Sequence, residues 1–458
     1  MERIKERPDS RRMGEMHEGK LLLSMAIPMM LSMLVQALYN VVDSIYVAQV
    51  SEDCLSALSL AFPAQNIMIG MGTGTGVGVS TLISRALGAQ DSRQAGRVGG
   101  NAIFLCVCCW LIMAVFGIFA AAPFIRSQTE LPAIQSYGIS YLQIVTIGSL
   151  FLYLEICMER LLQSTGQMKL SMWTQMVGAV TNIILDPFFI FGWCGLPALG
   201  TAGAAIATVI GQATGAATGF VLHRMRNKEL IIHVSDLSPS GKIISDVYRI
   251  GFPSILMMGI SSITNYMMNR ILISFTSTAI AVYGVYFKLN SFFFMPVFGI
   301  NNGLIPIIGY NYGAGKKERI YRSIRWGVLY ATLFMVLGFS VFQSAPRLLL
   351  AIFNSNETMV QIGVPALRRI SLSFLPAGFC IIAGSACQAL GKSLFSFFVS
   401  VIRQLLALIP AAYLFAQTGN LDMVWWSFPV AEILSLAASF VFLRVSLRDM
   451  ERRLSPNP

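Results

Sequence analysis

The chain of 458 residues is 55% hydrophobic and 12% charged, with mean hydropathy +0.66, where a soluble domain carries roughly 25% charged residues. Apolar runs of about 20 residues, the length a bilayer crossing needs, recur from end to end, which excludes an ordinary soluble fold. The formal net charge of +11 would suit nucleic acid if it were clustered, but its distribution along the chain points to lipid headgroups instead.

Residues 1–20 (MERIKERPDSRRMGEMHEGK) are charged and read as a mobile cytoplasmic segment. No small-residue cleavage site follows a short apolar core, so the first span is retained and is not a signal peptide. Twelve spans are expected, near 21–45, 57–82, 98–121, 136–157, 168–191, 200–222, 246–272, 279–309, 322–343, 361–386, 394–416 and 424–445. Residues 223–245 are polar and basic and carry Pro239-Ser240-Gly241, a linker between two halves; 446–458 form a polar tail. Counting Lys and Arg in alternate connections, with the span edges beside them, gives 26 on the side of both termini. The opposite side holds only Arg126 and Arg347, and the other 5 of 33 lie within spans. By the positive-inside rule both termini are cytoplasmic.

The halves repeat. At an offset of 225 residues Pro28 meets Pro253, Gly88 meets Gly313, Gln163 meets Gln388 and Gly166 meets Gly391. The expected fold is therefore an all-α integral membrane protein with two six-helix lobes, 21–222 and 246–445. An even number of spans per copy leaves both copies in the same orientation.

Several local patterns resemble chemistry without supporting it. Gly70, Gly74 and Gly78 fall at i, i+4 and i+8, a smooth helix face for close packing. Gly391-Lys392-Ser393 imitates the end of a phosphate-binding loop, but Ala386 stands where that loop needs glycine. His17, His223 and His233 lack metal-ligand spacing. Cys106, Cys108, Cys109, Cys157, Cys380 and Cys387 read as small packing residues. Cys54 and Cys194 fall in two outer loops of the first half, where a disulfide is conceivable.

Ionisable groups inside spans are costly and therefore functional candidates. The first copy has Asp43 in span one and Asp186 in span five, the latter in TNIILDPFFIFGW with Asn182 one helical turn before it. At about 1.5 Å per residue both lie in the outer half of the membrane. Pro187 cannot donate its amide, which frees the carbonyl of Ile183. Two carboxylates, an amide and carbonyls suit a proton or a hard cation such as Na⁺. At +225 these positions become Met268, Ala407 and Ala411, so the ion chemistry is confined to the first copy. The second copy instead places Lys288, Arg403 and Glu432 inside spans, as a charge-paired network or as substrate contacts. Glu155 and Glu159 close span four beside Arg160 and read as a salt-bridged structural group.

The pattern P-x(14)-D in span one, SRALGAQD after span two, N-x-x-x-D-P in span five and GYNYGAGKKER after span eight together resemble the MATE (multidrug and toxic compound extrusion) family. The similarity is greatest to its bacterial branch with an acidic site in the N-terminal lobe, and it covers about 20–450. It implies two lobes around a central cleft, alternating access, and export of organic cations or drugs in exchange for H⁺ or Na⁺. No cofactor, no nucleic acid and no catalytic residue is expected, and the protein would be a monomer in the cell membrane. By motif position Asp43, Asn182 and Asp186 match the ion site, with Thr201 and Thr208 both candidates for a supporting threonine. Gln36, Tyr39, Asn40, Gln65, Met71, Lys288, Met295 and Arg403 are candidate cleft residues, and Pro28, Pro187 and Pro253 candidate hinges, Pro28 interrupting span one. A flippase for lipid-linked saccharides is the alternative, supported by Lys288 and Arg403. A membrane receptor without transport or a membrane enzyme fits less well, since the spans hold no nucleophile-and-base constellation.

Overall fold

A computed structural model of the chain describes residues 9–195, 197–353 and 357–455. Residues 1–8 and 456–458, the ends of the two charged tails, lie outside the described residues. No strand occurs among the described residues. Twelve spans follow in order: α1 Glu18–Val50, α2 Glu52–Gly88, α3 Ser92–Arg126, α4 Pro132–Ile147 with Ser149–Ser164, α5 Met168–Phe191 and α6 Thr201–Arg226. The second half supplies α7 Gly241–Ile273, α8 Ser277–Gly313, α9 Lys317–Ser344, α10 Glu357–Ala389, α11 Ser393–Ala416 and α12 Leu421–Leu454. Eleven are long and apolar enough to cross a membrane by themselves, and α4 makes the twelfth if its two pieces, bent by 46°, form one span. Large apolar side chains such as Phe119, Leu406 and Ile433 stand exposed along these helices, as they do where hydrocarbon replaces water.

The repeat reappears as helix punctuation. Both α2 and α8 run 37 residues, and both start behind a hydroxyl cap at the 225-residue offset. Ser51 accepts from the amide of Cys54 at 3.1 Å and Thr276 from that of Thr278 at 3.3 Å, each satisfying a first-turn donor. The turns after these helices need a left-handed residue: Gly315 takes it at φ +69° in the second copy, and Gln90 takes it at φ +62° in the first. Gly166 and Gly391, at φ +82° and +76°, close the next pair of turns.

Pro28 does not break its helix. α1 runs through it, as α7 runs through Pro253 and α5 through Pro187. A proline removes one ladder bond, but an apolar surrounding offers the other amides no partner except the helix itself, so the helix persists. The N-terminal segment is also more ordered than its charge suggests. Asp9–Glu15 forms a helix, Met13 is fully buried, and the amide of Ser10 donates to Glu229 at 3.2 Å.

Two compact units divide the chain, and they do not divide it at the linker. One comprises 1–15 and 31–255, the other 16–30 and 256–458, so the boundaries fall within α1 and α7, just past Pro28 and Pro253. In the first unit the glycines of α2 are used on two faces. A side chain at Gly74 would strike the Gly251 carbonyl at 2.9 Å, and one at Gly78 the carbonyl of Val247. Gly72 and Gly76 instead admit Ile156 and Arg160 of α4. In the second unit the first turns of α1 pack in the same way, with Gly299 of α8 lying against Met30 and the Trp326 ring of α9 against Gly19. Arg319 ties these turns down: it pairs with Glu18 at 3.1 Å, donates to Asn311 at 3.2 Å and donates to the carbonyl of Met16. All eight cysteines are free thiols, so the disulfide considered for Cys54 and Cys194 is not formed; Cys54 is buried and Cys194 exposed.

Candidate functional site: a buried carboxylate pair in the first unit

The site assembles from α1, α5 and α6 within the first unit. Asp186 is completely buried, Asn182 and Asp43 are 2% and 8% exposed, and Thr208 is 8% exposed. The helical i, i+4 spacing of Asn182 and Asp186 sets both on one face of α5, and the Asn182 amide reaches Asp186 Oδ1 at 3.4 Å and Thr208 Oγ1 at 3.3 Å. Turned over, the same amide donates to Asp186 Oδ2 at 3.3 Å while its oxygen accepts the Thr208 N–H at 3.1 Å. The second orientation is the better one, since it gives the amide oxygen a donor. α6 can come this close because Gly211 packs directly on Gly178 and Asn182 of α5.

Asp43 stands within electrostatic reach of Asp186. One of its buried oxygens has no hydrogen-bond partner, and among the described residues neither carboxylate makes an ion pair. Two neighbouring carboxylates out of water cannot both stay charged without a cation or a proton between them. Among the described residues no three of His, Cys, Asp and Glu meet in a way that could hold a metal ion. A cation bound here would draw its remaining ligands from neutral oxygens, and Asn182 and Thr208 are the ones in place.

The two candidate threonines separate. Thr208 contacts Asn182, whereas Thr201, two turns earlier on α6, donates to the carbonyl of Tyr137 at 3.2 Å. Of the candidate cleft residues, Tyr39 lies within electrostatic reach of Asp43 and Asp186. Gln65 joins indirectly, donating at 2.9 Å to the hydroxyl of Tyr141, which feels both aspartates. Gln36 and Asn40 are exposed on α1, and Met71 and Met295 are half-buried. Lys288 lies over the Phe353 ring at 5.8 Å, and Arg403 approaches Glu432 at 3.9 Å. The second-copy cations therefore do not form one paired network.

Sequence reasoning passed over one residue and gave another a different role. Tyr141 is one of several hydroxyl side chains along α4, beside Tyr137 and Ser140, and nothing in the sequence set it apart. Glu155 was read as part of a salt-bridged group at the inner end of α4. Its carboxylate instead lodges in the notch left by Gly178 and Gly215, and it acts electrostatically on Tyr39. Glu159 accepts from Gln175 of α5 at 2.8 Å.

Comparison with known proteins decides the family. The MatE family model matches residues 28–188 and again 252–414, one match per copy of the repeat. The chain belongs to the MatE family. Curated relatives of this MatE protein include the multidrug export protein MepA of Staphylococcus aureus (strain bovine RF122 / ET3-1), 26% identical over 441 residues, with 94% of each chain covered. Another is MepA of Staphylococcus saprophyticus, 25% identical over 432 residues with the same coverage. Among solved structures, an outward-facing multidrug resistance MATE transporter of the MOP superfamily superposes with a TM-score of 0.90 at 23% identity, covering 96% of this chain and 98% of that one. A MOP superfamily transporter from Pyrococcus furiosus, described as having a binding pocket of reverse polarity, gives a TM-score of 0.85 at 23% identity, covering 96% and 98%. The double match and these superpositions make the twelve-span, duplicated membrane fold a property of this MatE chain.

Proposed function

We propose that this MatE protein is a secondary active exporter in the cell membrane, moving small organic cations or drugs outward by alternating access in exchange for H⁺ or Na⁺. The observation that carries the reading is the Asp43–Asp186 pair: buried, without an ion-pair partner among the described residues, and backed by Asn182 and Thr208. Support for the cargo comes from relatives named as multidrug export proteins over 94% of this chain. The lobes 21–222 and 246–445 with cytoplasmic termini, and action as a monomer, belong to the same proposal.

In this account an ion entering from outside neutralises the aspartates. A ligand shifts an equilibrium only by its difference in affinity between states, so the ion and a cationic substrate drive the protein in opposite directions. Pro28, Pro187 and Pro253, each with one ladder bond missing, are where α1, α5 and α7 would yield. The saccharide-flippase alternative is weakened because Arg403 faces Glu432 rather than standing free for phosphate. Asp43→Asn and Asp186→Asn keep side-chain shape and remove the charge, so each should abolish drug efflux from cells at near-normal membrane abundance. Full export by either variant refutes the assignment.

A further inference from the structure

Three thiols of the first unit converge on a cavity that the aspartates do not line. Cys106 and Cys109 of α3 meet Tyr153, Cys157 and Arg160 of α4 there, against the glycines of α2. The spacing explains the convergence, since i, i+3 on α3 and i, i+4 on α4 each set a pair on one helix face. The cavity has room for little more than a water-sized molecule. Tyr153, which lines it, is only 1% exposed, and its hydroxyl has no hydrogen-bond partner. A buried phenol left in that state costs free energy unless a ligand takes up its hydrogen bond.

Two of the thiols are in contact. The Cys106 thiol donates to the Tyr153 carbonyl at 3.3 Å. In an α-helix that carbonyl also accepts the N–H four residues on, and here the fourth residue is Cys157. The bond therefore sets Cys106 Sγ beside the base of the Cys157 side chain, and the two thiols lie within hydrogen-bonding reach of each other. Both are buried and both are free. A disulfide needs its sulfurs about 2 Å apart, a gap that rotation of the two side chains closes. Cys109 is engaged elsewhere, with the Tyr248 hydroxyl at 3.8 Å. Arg160, one turn beyond Cys157, brings a positive charge to the same cavity, the kind of surrounding in which thiols react.

We propose that this cavity seats hydrogen peroxide, and that Cys106 and Cys157 are an oxidative modification site which peroxide closes to a disulfide between α3 and α4. The cavity sets the class of oxidant: neutral, close to water in size, and able to accept a hydrogen bond from Tyr153. Cys157 is the attacking sulfur, because Cys106 directs its proton to the Tyr153 carbonyl. Its sulfur bonds to one peroxide oxygen and the O–O bond breaks. The other oxygen leaves as water with the Cys157 proton, helped by the Tyr153 hydroxyl. Cys106 then attacks the sulfenic sulfur, the S–O bond breaks as the S–S bond forms, and the hydroxyl leaves as water with the Cys106 proton. Both thiols are oxidised, the peroxide is reduced to water, and a thiol reductant restores the pair. The site goes beyond the exporter reading and does not depend on it.

The test uses the purified, reduced full chain in detergent, exposed to hydrogen peroxide for increasing times, then blocked, digested without reductant and read by mass spectrometry. A Cys106–Cys157 linked peptide should appear and vanish on treatment with dithiothreitol. It should form at least about tenfold faster than the equally buried thiols Cys380 and Cys387 are oxidised. Exposed Cys194 serves as the reference for reagent size: relative to it, tert-butyl hydroperoxide should oxidise the pair far less well than hydrogen peroxide does. Tyr153→Phe keeps the ring and removes the hydroxyl, and should slow formation of the bond about three- to tenfold, the worth of one hydrogen bond. Cys106→Ser should leave a sulfenic acid on Cys157 that a 1,3-dione probe traps. The comparison with Cys380 and Cys387 is made on the unaltered chain, so it decides even if a variant misfolds. A pair that stays reduced as long as Cys380 and Cys387, a different pairing, no preference for the smaller peroxide, or a rate unchanged in folded Tyr153→Phe overturns the proposal.

Discussion

Replacing Asn182 by alanine isolates what the amide does for the aspartates. Its donor reaches Asp186 at 3.3–3.4 Å and it is 2% exposed, so no water stands ready to take its place. A hydrogen bond to a charged acceptor contributes roughly 1.5–3 kcal/mol, and each 1.4 kcal/mol is about a factor of ten in affinity. If the amide supports Asp186 in its ion-binding form, Asn182→Ala should raise the concentration of coupling ion needed for half-maximal transport by about 10- to 100-fold. The maximal rate at saturating ion should change far less. Thr208→Ala should be milder, because the Thr208 N–H that meets the turned amide remains. The assay is drug exchange in proteoliposomes, with ion concentration varied on the outer side. An ion dependence unchanged by Asn182→Ala refutes the reasoning, since the amide would then be packing and nothing more.

Two further outcomes follow from other parts of the chain. Arg319→Ala leaves Glu18, 4% exposed, without its partner, a loss of about 3–5 kcal/mol for a broken buried pair; yield of folded protein should fall, Arg319→Lys should restore it only partly, and Arg319→Ala/Glu18→Gln should recover more than Arg319→Ala, as read by size-exclusion profiles. In a cysteine-free background, single cysteines at 235 and 317 should label only from the cytoplasm and one at 197 only from outside, and external labelling of 235 reverses the expected topology.

The fold was legible wherever one physical rule acted alone. Spans of about 20 apolar residues and a 225-residue repeat of Pro28, Gly88, Gln163 and Gly166 required no knowledge of packing. The bend in α4 was not legible. It falls at Gly148, where an added side chain would strike Val209 of α6 at 2.6 Å, and hydropathy does not register which neighbour presses on a helix. For the same reason the sequence does not mark where the compact units change hands, inside α1 and α7. Asp43, Asn182 and Asp186 stood out because charge and amide groups are rare in such helices. Thr201 and Thr208 are seven residues apart on nearly one face of α6, and only the approach of α5 through Gly211 and Gly178 separates them. Glu155 was hidden by the opposite problem, since a carboxylate near Glu159 and Arg160 is explained too easily by a salt bridge.

The most direct measurement of the central claim is ion-driven exchange in proteoliposomes holding this protein alone. An imposed inward H⁺ or Na⁺ gradient should drive an organic cation in the opposite direction without ATP, net movement should stop when the gradient is dissipated, and Asp43→Asn should uncouple the two flows. Drug accumulation that requires ATP, ignores both gradients, or stays coupled in Asp43→Asn contradicts the account.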